Sequence, residues 1–230
     1  MAFDFEPQVS VSALEPTSPL RTHRKLDVKR VLKRGFDILF STLALIALSP
    51  VFAVVTLMLR LREPGPVFFS HERVGIDGRT FRCHKFRTMR EDGDRRLQWV
   101  FAIDPIAREQ WDAEQKLDRD PRVHSLGDLL RRTSIDELPQ FWNVFKGDMS
   151  IVGPRPITMA EAEKYGHHFA DYCSVKPGIT GAWQVGGRSD TSYAQRVVLD
   201  VDYIRNASLV DDIQIVYKTV GVVLAQRGAC

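Results

Sequence analysis

"ILFSTLALIALSPVFAVVTLML", residues 38–59, is a run of 22 uncharged positions with a proline past its middle. As one straight helix it would measure roughly 33 Å, against a hydrocarbon core of about 30 Å. The run starts late and no small-residue cleavage site follows, which argues against a signal peptide. Three readings fit its length: a single membrane span, a helix that enters the bilayer and returns, and a buried helix of a soluble core. The last is disfavoured, because a core helix is seldom apolar on every side.

Ser49-Pro50 and the flanking charges favour the returning helix. Proline removes one backbone hydrogen bond and kinks a helix. The Ser49 hydroxyl is placed to serve a carbonyl that the kink frees. Residues 21–34, "RTHRKLDVKRVLKR", carry seven Lys/Arg against one Asp, and residues 60–90 carry eight more. Basic flanks stay cytoplasmic, so both ends of the run belong on the same side. The expected topology is a re-entrant helix broken at Ser49-Pro50.

The remaining sequence reads as one compact unit. Residues 1–20 contain three prolines and no periodicity, as in a disordered tail. Residues 22–36 can form a basic helix on anionic lipid. "PVFFSHERVGIDGRTFRCHKFRTM" reads as a β-hairpin framed by Gly75 and Gly78, with Phe81, Cys83, Lys85 and Arg87 on one face. Residues 91–120 read as a helical insertion, "SLGDLLRR" as a short helix and residues 157–172 as helical. Residues 192–206 and 211–227 form two amphipathic helices. The fold class is α+β: a re-entrant helix, a small hairpin and a compact, mostly helical domain with amphipathic interfacial helices. The divisions fall at 1–20, 21–62 and 63–230.

A net charge of +3 gives no case for nucleic acid. Cys83, Cys173 and Cys230 are odd in number and form no CxxC, so neither a disulfide framework nor a zinc site is expected. That fits a reducing compartment. His71, His84, His124, His167 and His168 show no metal-ligand spacing and read as structural or surface residues.

The chemistry concentrates in "IDELPQFWNVFKGDMSIVGPRP", residues 135–156. Pro139 is tolerated only in a helix's first turn, so a helix through residues 138–146 should begin near Ser134 to Asp136. Asp136 and Glu137 then stand at a helix start, about 100° apart around the axis. Ser134-Ile135-Asp136-Glu137 also fits a capping box, the plainer reading. Nearby Arg131, Arg132, Lys146, Arg155 and Arg188 suit phosphate recognition. A carboxylate can attack phosphorus, and a neighbouring one can hold Mg²⁺. Asp148 reads as an Asx-type turn. Asp200 reads equally as a buried partner for an arginine or a metal ligand. Trp183 reads as an interfacial anchor or as core.

Five stretches in order, "KRGFDILFSTLALIALSP", "HKFRTM", "RRTSIDELPQFWNVFKGDMSIVGPRP", "KPGITGAWQVGGRSD" and "LDVDYIRN", resemble the monotopic bacterial phosphoglycosyl transferases, or bacterial sugar transferases. The likeness covers about residues 30 to 230. The "GAWQVGGRSD" and "RGAC" stretches look most like the undecaprenyl-phosphate galactose or glucose phosphotransferases of exopolysaccharide and O-antigen synthesis. Some relatives read "GWAQVNGR" where this chain has Ala182-Trp183-Gln184 and Gly186-Gly187-Arg188, which bears on donor preference.

The resemblance implies transfer of hexose-1-phosphate from a UDP-hexose to undecaprenyl phosphate, with release of UMP. It implies Mg²⁺ and a covalent phosphosugar-aspartate. Asp136 would be the nucleophile and Glu137 the metal ligand, with Asp136 beside it. Lys85, Arg131, Arg155 and Arg188 would handle phosphate, with Arg87 and Asp200 as further candidates. Ser49-Pro50 would be the membrane kink. The implied location is the bacterial inner membrane, catalytic domain toward the cytoplasm, with a homodimer left open. The rivals are a membrane-bound Mg²⁺ phosphatase or nucleotide-sugar hydrolase, and a catalytically idle membrane scaffold.

Overall fold

The computed structural model describes residues 28–114, 117, 119–186 and 192–224. The tail read at 1–20, and Arg188 in the glycine-rich loop, lie outside the described residues. Over the described part the chain is mostly helical, with two small two-stranded sheets.

Helix α1 (Val28–Ala47) and helix α2 (Ser49–Arg62) meet at a 56° bend. The cause is Pro50, which has no N–H to offer the carbonyl four residues back, Ile46. Ser49 Oγ donates to that carbonyl at 2.8 Å. Among the described residues no single helix is long and apolar enough to cross a membrane; the bent pair together meets that measure by length and composition alone. Leu43, Ile46 and Leu57 are 59%, 67% and 58% exposed, so the pair is not a buried core element.

The basic segment differs from expectation. Residues 28–36 are the first turns of α1, continuous with the apolar run. Two of their cations turn inward. Lys33 Nζ lies 2.6 Å from Asp212 Oδ2, and Arg34 donates to the Val144 and Phe145 carbonyls at 2.7 and 2.8 Å. Asp37, also on α1, accepts from Ser150 Oγ and the Ile151 amide, both at 2.9 Å. Helix α1 is thus bolted to the rest of the chain by polar groups on one face, leaving its apolar face outward.

Strands β1 (Phe68–Val74) and β2 (Thr80–Phe86) form the expected antiparallel hairpin, pairing Phe69 with Lys85 and His71 with Cys83. The turn uses left-handed backbone at Asp77 (φ 58°) and Gly78 (φ 71°), while Gly75 stays in ordinary space. Phe86 of β2 and Leu59 of α2 are buried with Leu126 and Leu130 of α5 (Ser125–Arg132), joining the hairpin, α2 and α5 in one cluster. Each such side chain contributes about 1.5–3 kcal/mol on burial. The insertion forms α3 (Gly93–Ile103) and α4 (Pro105–Glu114). His124 is fully buried and caps α5, its Nδ1 accepting from the Gly127 amide at 2.8 Å, in keeping with a structural histidine.

Helix α6 (Gln140–Lys146) leads to β3 (Ser150–Val152), which pairs in parallel with β4 (Gly178–Thr180). The parallel pair has no counterpart in the sequence reading. It depends on two glycines in backbone contact: a Cβ on Gly178 would meet the Gly153 amide nitrogen at 2.1 Å. Between the strands, α7 (Met159–Ala162) and α8 (Phe169–Cys173) replace the single helix expected, separated by a tighter turn in which Gly166 breaks the backbone at φ 51°. A short α9 (Ala182–Gly186) precedes the two long helices α10 (Tyr193–Asn206) and α11 (Leu209–Leu224). Cys83 and Cys173 are free thiols.

Candidate active site

Asp136 and Glu137 occupy a 3₁₀ turn, Ile135–Glu137, between α5 and α6. This corrects the expected helix start: the α-helix proper begins at Gln140, with Pro139 as its cap residue. It also corrects the capping box. Ser134 is left-handed (φ 57°) and its side chain makes no cap hydrogen bond, whereas a capping residue is extended. The Glu137 amide bonds the Ser134 backbone carbonyl at 3.2 Å instead. Backbone hydrogen bonds thus close the turn, and both carboxylates face the hairpin.

Lys85 of β2 meets them there. Its Nζ is 2.6 Å from Glu137 Oε1 and 3.8 Å from Asp136 Oδ2. Asp136 is buried, Glu137 half-exposed. Burial pushes the Asp136 carboxyl up to about 6, against the pull of Lys85; Glu137 adds to the rise, and Arg131 opposes it. Burial works against the charge on Lys85, but Glu137 and Asp136 together hold its ammonium above the usual lysine range. Arg131, at the end of α5, is fixed by its Nε donating to Thr88 Oγ1 at 2.9 Å. Lysine, aspartate, glutamate and arginine thus come from three elements to one place.

Arg155 stands exposed on the turn after β3. It shares a neighbour with Lys85: both cations act on buried Cys83, whose thiol burial pushes up to about 11. Its guanidinium lies 5.7 Å from the Trp183 ring centre, and Arg196 lies 4.7 Å from the same ring. Trp183 is buried, which settles it as part of the protein interior.

A family model for bacterial sugar transferases matches residues 28–226. The chain belongs to this family. The sugar transferase is 48% identical over 199 residues to the exopolysaccharide production protein ExoY of Sinorhizobium fredii, covering 86% of this chain and 88% of that protein. It is 43% identical over 229 residues to the undecaprenyl-phosphate galactose phosphotransferase of Salmonella typhimurium, covering all of this chain and 47% of that one. It is 42% identical over 213 residues to the UDP-glucose:undecaprenyl-phosphate glucose-1-phosphate transferase of Escherichia coli, covering 89% of this chain and 43% of that one.

Two candidates of the sugar transferase lie elsewhere. Arg87 is buried at the end of α2, where Nη2 donates to the Glu63 carbonyl at 2.8 Å and Nη1 sits 3.9 Å from Glu91. Strand alternation put it beside Lys85, but β2 ends at Phe86 and the chain turns it inward. Asp200 does not join Asp136 and Glu137; it is buried in α10 beneath the Arg155 turn, accepting from Tyr165 Oη at 2.8 Å. Asp148 pairs with Lys146 at 3.0 Å and accepts from Asn143 at 3.2 Å. Sequence reasoning passed over Tyr165 and Tyr172, whose only signal was two tyrosines in a predicted helix.

For a metal, no group of three or more His, Cys, Asp or Glu is assembled among the described residues. The donor chemistry still suits Mg²⁺, which takes hard oxygen ligands, one or two of them protein carboxylates, and the rest from phosphate and water. Asp136 and Glu137 would be that pair, Glu137 from a half-exposed position.

Proposed function

We propose that this sugar transferase moves hexose-1-phosphate from a UDP-hexose to undecaprenyl phosphate through a phosphosugar-aspartate on Asp136. What carries the reading is a buried carboxylate, Asp136, 3.8 Å from a lysine that also grips Glu137 at 2.6 Å. The names of relatives aligned over most of this chain support the substrate classes.

Asp136 Oδ attacks the β-phosphorus of the donor. The bond to the bridging oxygen breaks, and UMP leaves with that oxygen. A phosphate oxygen of the lipid then attacks the same phosphorus, and the bond to Asp136 breaks, restoring the carboxylate. Lys85 holds Asp136 ionised and faces the incoming phosphate charge. Arg131 and Arg155 are the cations assigned to bind phosphate. Arg188 would add to them from the glycine-rich loop. Asp136 and Glu137 would hold Mg²⁺, which when bound neutralises charge on the diphosphate.

The bent α1–α2 pair acts as a re-entrant anchor in the inner membrane, with residues 63–230 as the catalytic domain on the cytoplasmic face. Its 56° break, its outward apolar side chains and its two basic flanks support this. Such an anchor holds the site at headgroup level, where a soluble donor and a lipid acceptor meet.

Purified protein in lipid nanodiscs, given labelled UDP-hexose with and without undecaprenyl phosphate, tests the reading. Lipid-linked sugar diphosphate and UMP are expected. Release of free sugar phosphate at equal rate without the lipid would mean hydrolysis instead.

A further inference from the structure

The hairpin turns one face toward the acid pair, and only half of that face is covered. On β2 the face carries Phe81, Cys83 and Lys85. The register sets Arg73, His71 and Phe69 of β1 directly opposite them, on the same side of the sheet. At one end Lys85 meets Glu137 at 2.6 Å. At the other, Arg73 donates to the Pro156 carbonyl at 3.3 Å and to Glu161 at 3.2 Å, beside the Arg155 turn. Between these ends Cys83 is buried, but Phe69 is 52% exposed and His71 is exposed as well. Their ring centres lie 6.3 Å apart. Two aromatic rings thus edge the strip between the acid pair and the Arg155 turn, one strand spacing, roughly 5 Å, outside Lys85.

The hydrogen bonding of His71 gives its ring a direction. Nδ1 lies 3.0 Å from the Glu72 carbonyl, which can only accept, so Nδ1 carries the proton. In the neutral ring Nε2 is then an acceptor. Phe69, half in water beside charged groups, forgoes part of the energy its burial would give. A flat ring with an N–H at its edge would cover the phenylalanine and satisfy the imidazole together.

We propose that Phe69 and His71 form the nucleobase subsite of the donor: uracil stacks on Phe69 and donates its N3–H to His71 Nε2. The inference rests on the reading of the donor as a UDP-hexose. Stacking gives affinity for any base, because every base has a π-face, and the imidazole makes the choice among them. Cytosine has no hydrogen on that ring nitrogen, so the pair selects a uridine donor over a cytidine one. The polyprenyl chain does not fit, since it offers the imidazole no hydrogen-bond donor. The hexose phosphate is the part of the donor joined to Asp136, which leaves the outer rings to the departing nucleotide.

The test titrates UDP and CDP against the full chain in nanodiscs, for the parent and for Phe69→Leu, Phe69→Tyr and His71→Ala. The parent should bind UDP about tenfold more tightly than CDP, and His71→Ala should bring the two within about twofold by weakening UDP alone. Phe69→Leu should weaken both nucleotides about tenfold, and Phe69→Tyr, which keeps the ring, should restore both. The KM for undecaprenyl phosphate is measured beside them. Equal affinity of the parent for UDP and CDP, or an equal loss of both in His71→Ala, would overturn the inference. So would a rise in the KM for undecaprenyl phosphate with nucleotide affinity kept, which would assign the rings to the lipid. Because nucleotide binding is read without turnover, a chain that binds UDP in this way but transfers no sugar would defeat the proposed reaction and leave the subsite standing.

Discussion

Lys85 and Glu137 are joined by a 2.6 Å ion pair that crosses from the hairpin to the turn before α6. Lys85 is also the first of the cations that keep Asp136 ionised. Replacing it with methionine should cut kcat/KM for the donor by about two orders of magnitude or more, the scale seen when an electrostatic group at a reacting centre is lost. Steady-state release of UMP measures it.

The acid limb of the pH profile should follow Asp136. A nucleophile must be ionised, so single-turnover transfer at saturating donor should fall below pH about 6, the value to which burial pushes this carboxyl. Lys85 lowers the Asp136 pKa, so Lys85→Met should move that limb to higher pH. A limb that stays fixed in the variant would assign it to another group.

The same burial makes Asp136 a stability cost. Its folded pKa lies above its unfolded value of about 3.8, so the folded state holds the proton more tightly. Its contribution is complete below pH about 4 and is lost as the pH rises through about 6. Asp136→Asn should therefore be inactive yet more stable at pH 8, by something on the order of 1–3 kcal/mol, and equal to the parent near pH 3. Denaturant melts of the two proteins across that range decide it.

Gly178→Ala should damage the site from a distance. A methyl group 2.1 Å from the Gly153 amide cannot be accommodated without parting β3 from β4. Thermal melting should show a loss of several kcal/mol, and donor affinity should fall with it because the Arg155 turn hangs on that pairing.

The parts legible in the sequence were those whose cause is local. A proline in the middle of a long apolar run interrupts the helix there, so the bend at Pro50 was readable, and so was the Ser49 hydroxyl's use of a freed carbonyl. Alternation and turn residues gave the hairpin, and the Asp136–Glu137 pair stood out among arginines. What stayed hidden depends on contacts across the chain. β3 and β4 are three residues each, and their pairing needs a glycine at 153 and another at 178 to meet. Ser134 matched a capping motif letter by letter, but a left-handed backbone there is imposed by the turn out of α5. Arg87 alternates with Lys85, yet it is drawn to the carbonyl that α2 leaves open at Glu63. Asp200 could be recognised as a buried carboxylate, but nothing in its helix named Tyr165 as the group that holds it.

The central claim is that Asp136 becomes covalently bonded to the transferred phosphosugar. Protein in nanodiscs without polyprenyl phosphate should be mixed with UDP-hexose, quenched and digested, and its peptides examined by mass spectrometry. A peptide carrying Asp136 should gain the mass of one hexose phosphate with release of UMP, and the adduct should vanish when undecaprenyl phosphate is added before quenching. An adduct on another residue, or full transferase activity in Asp136→Asn, would contradict the account.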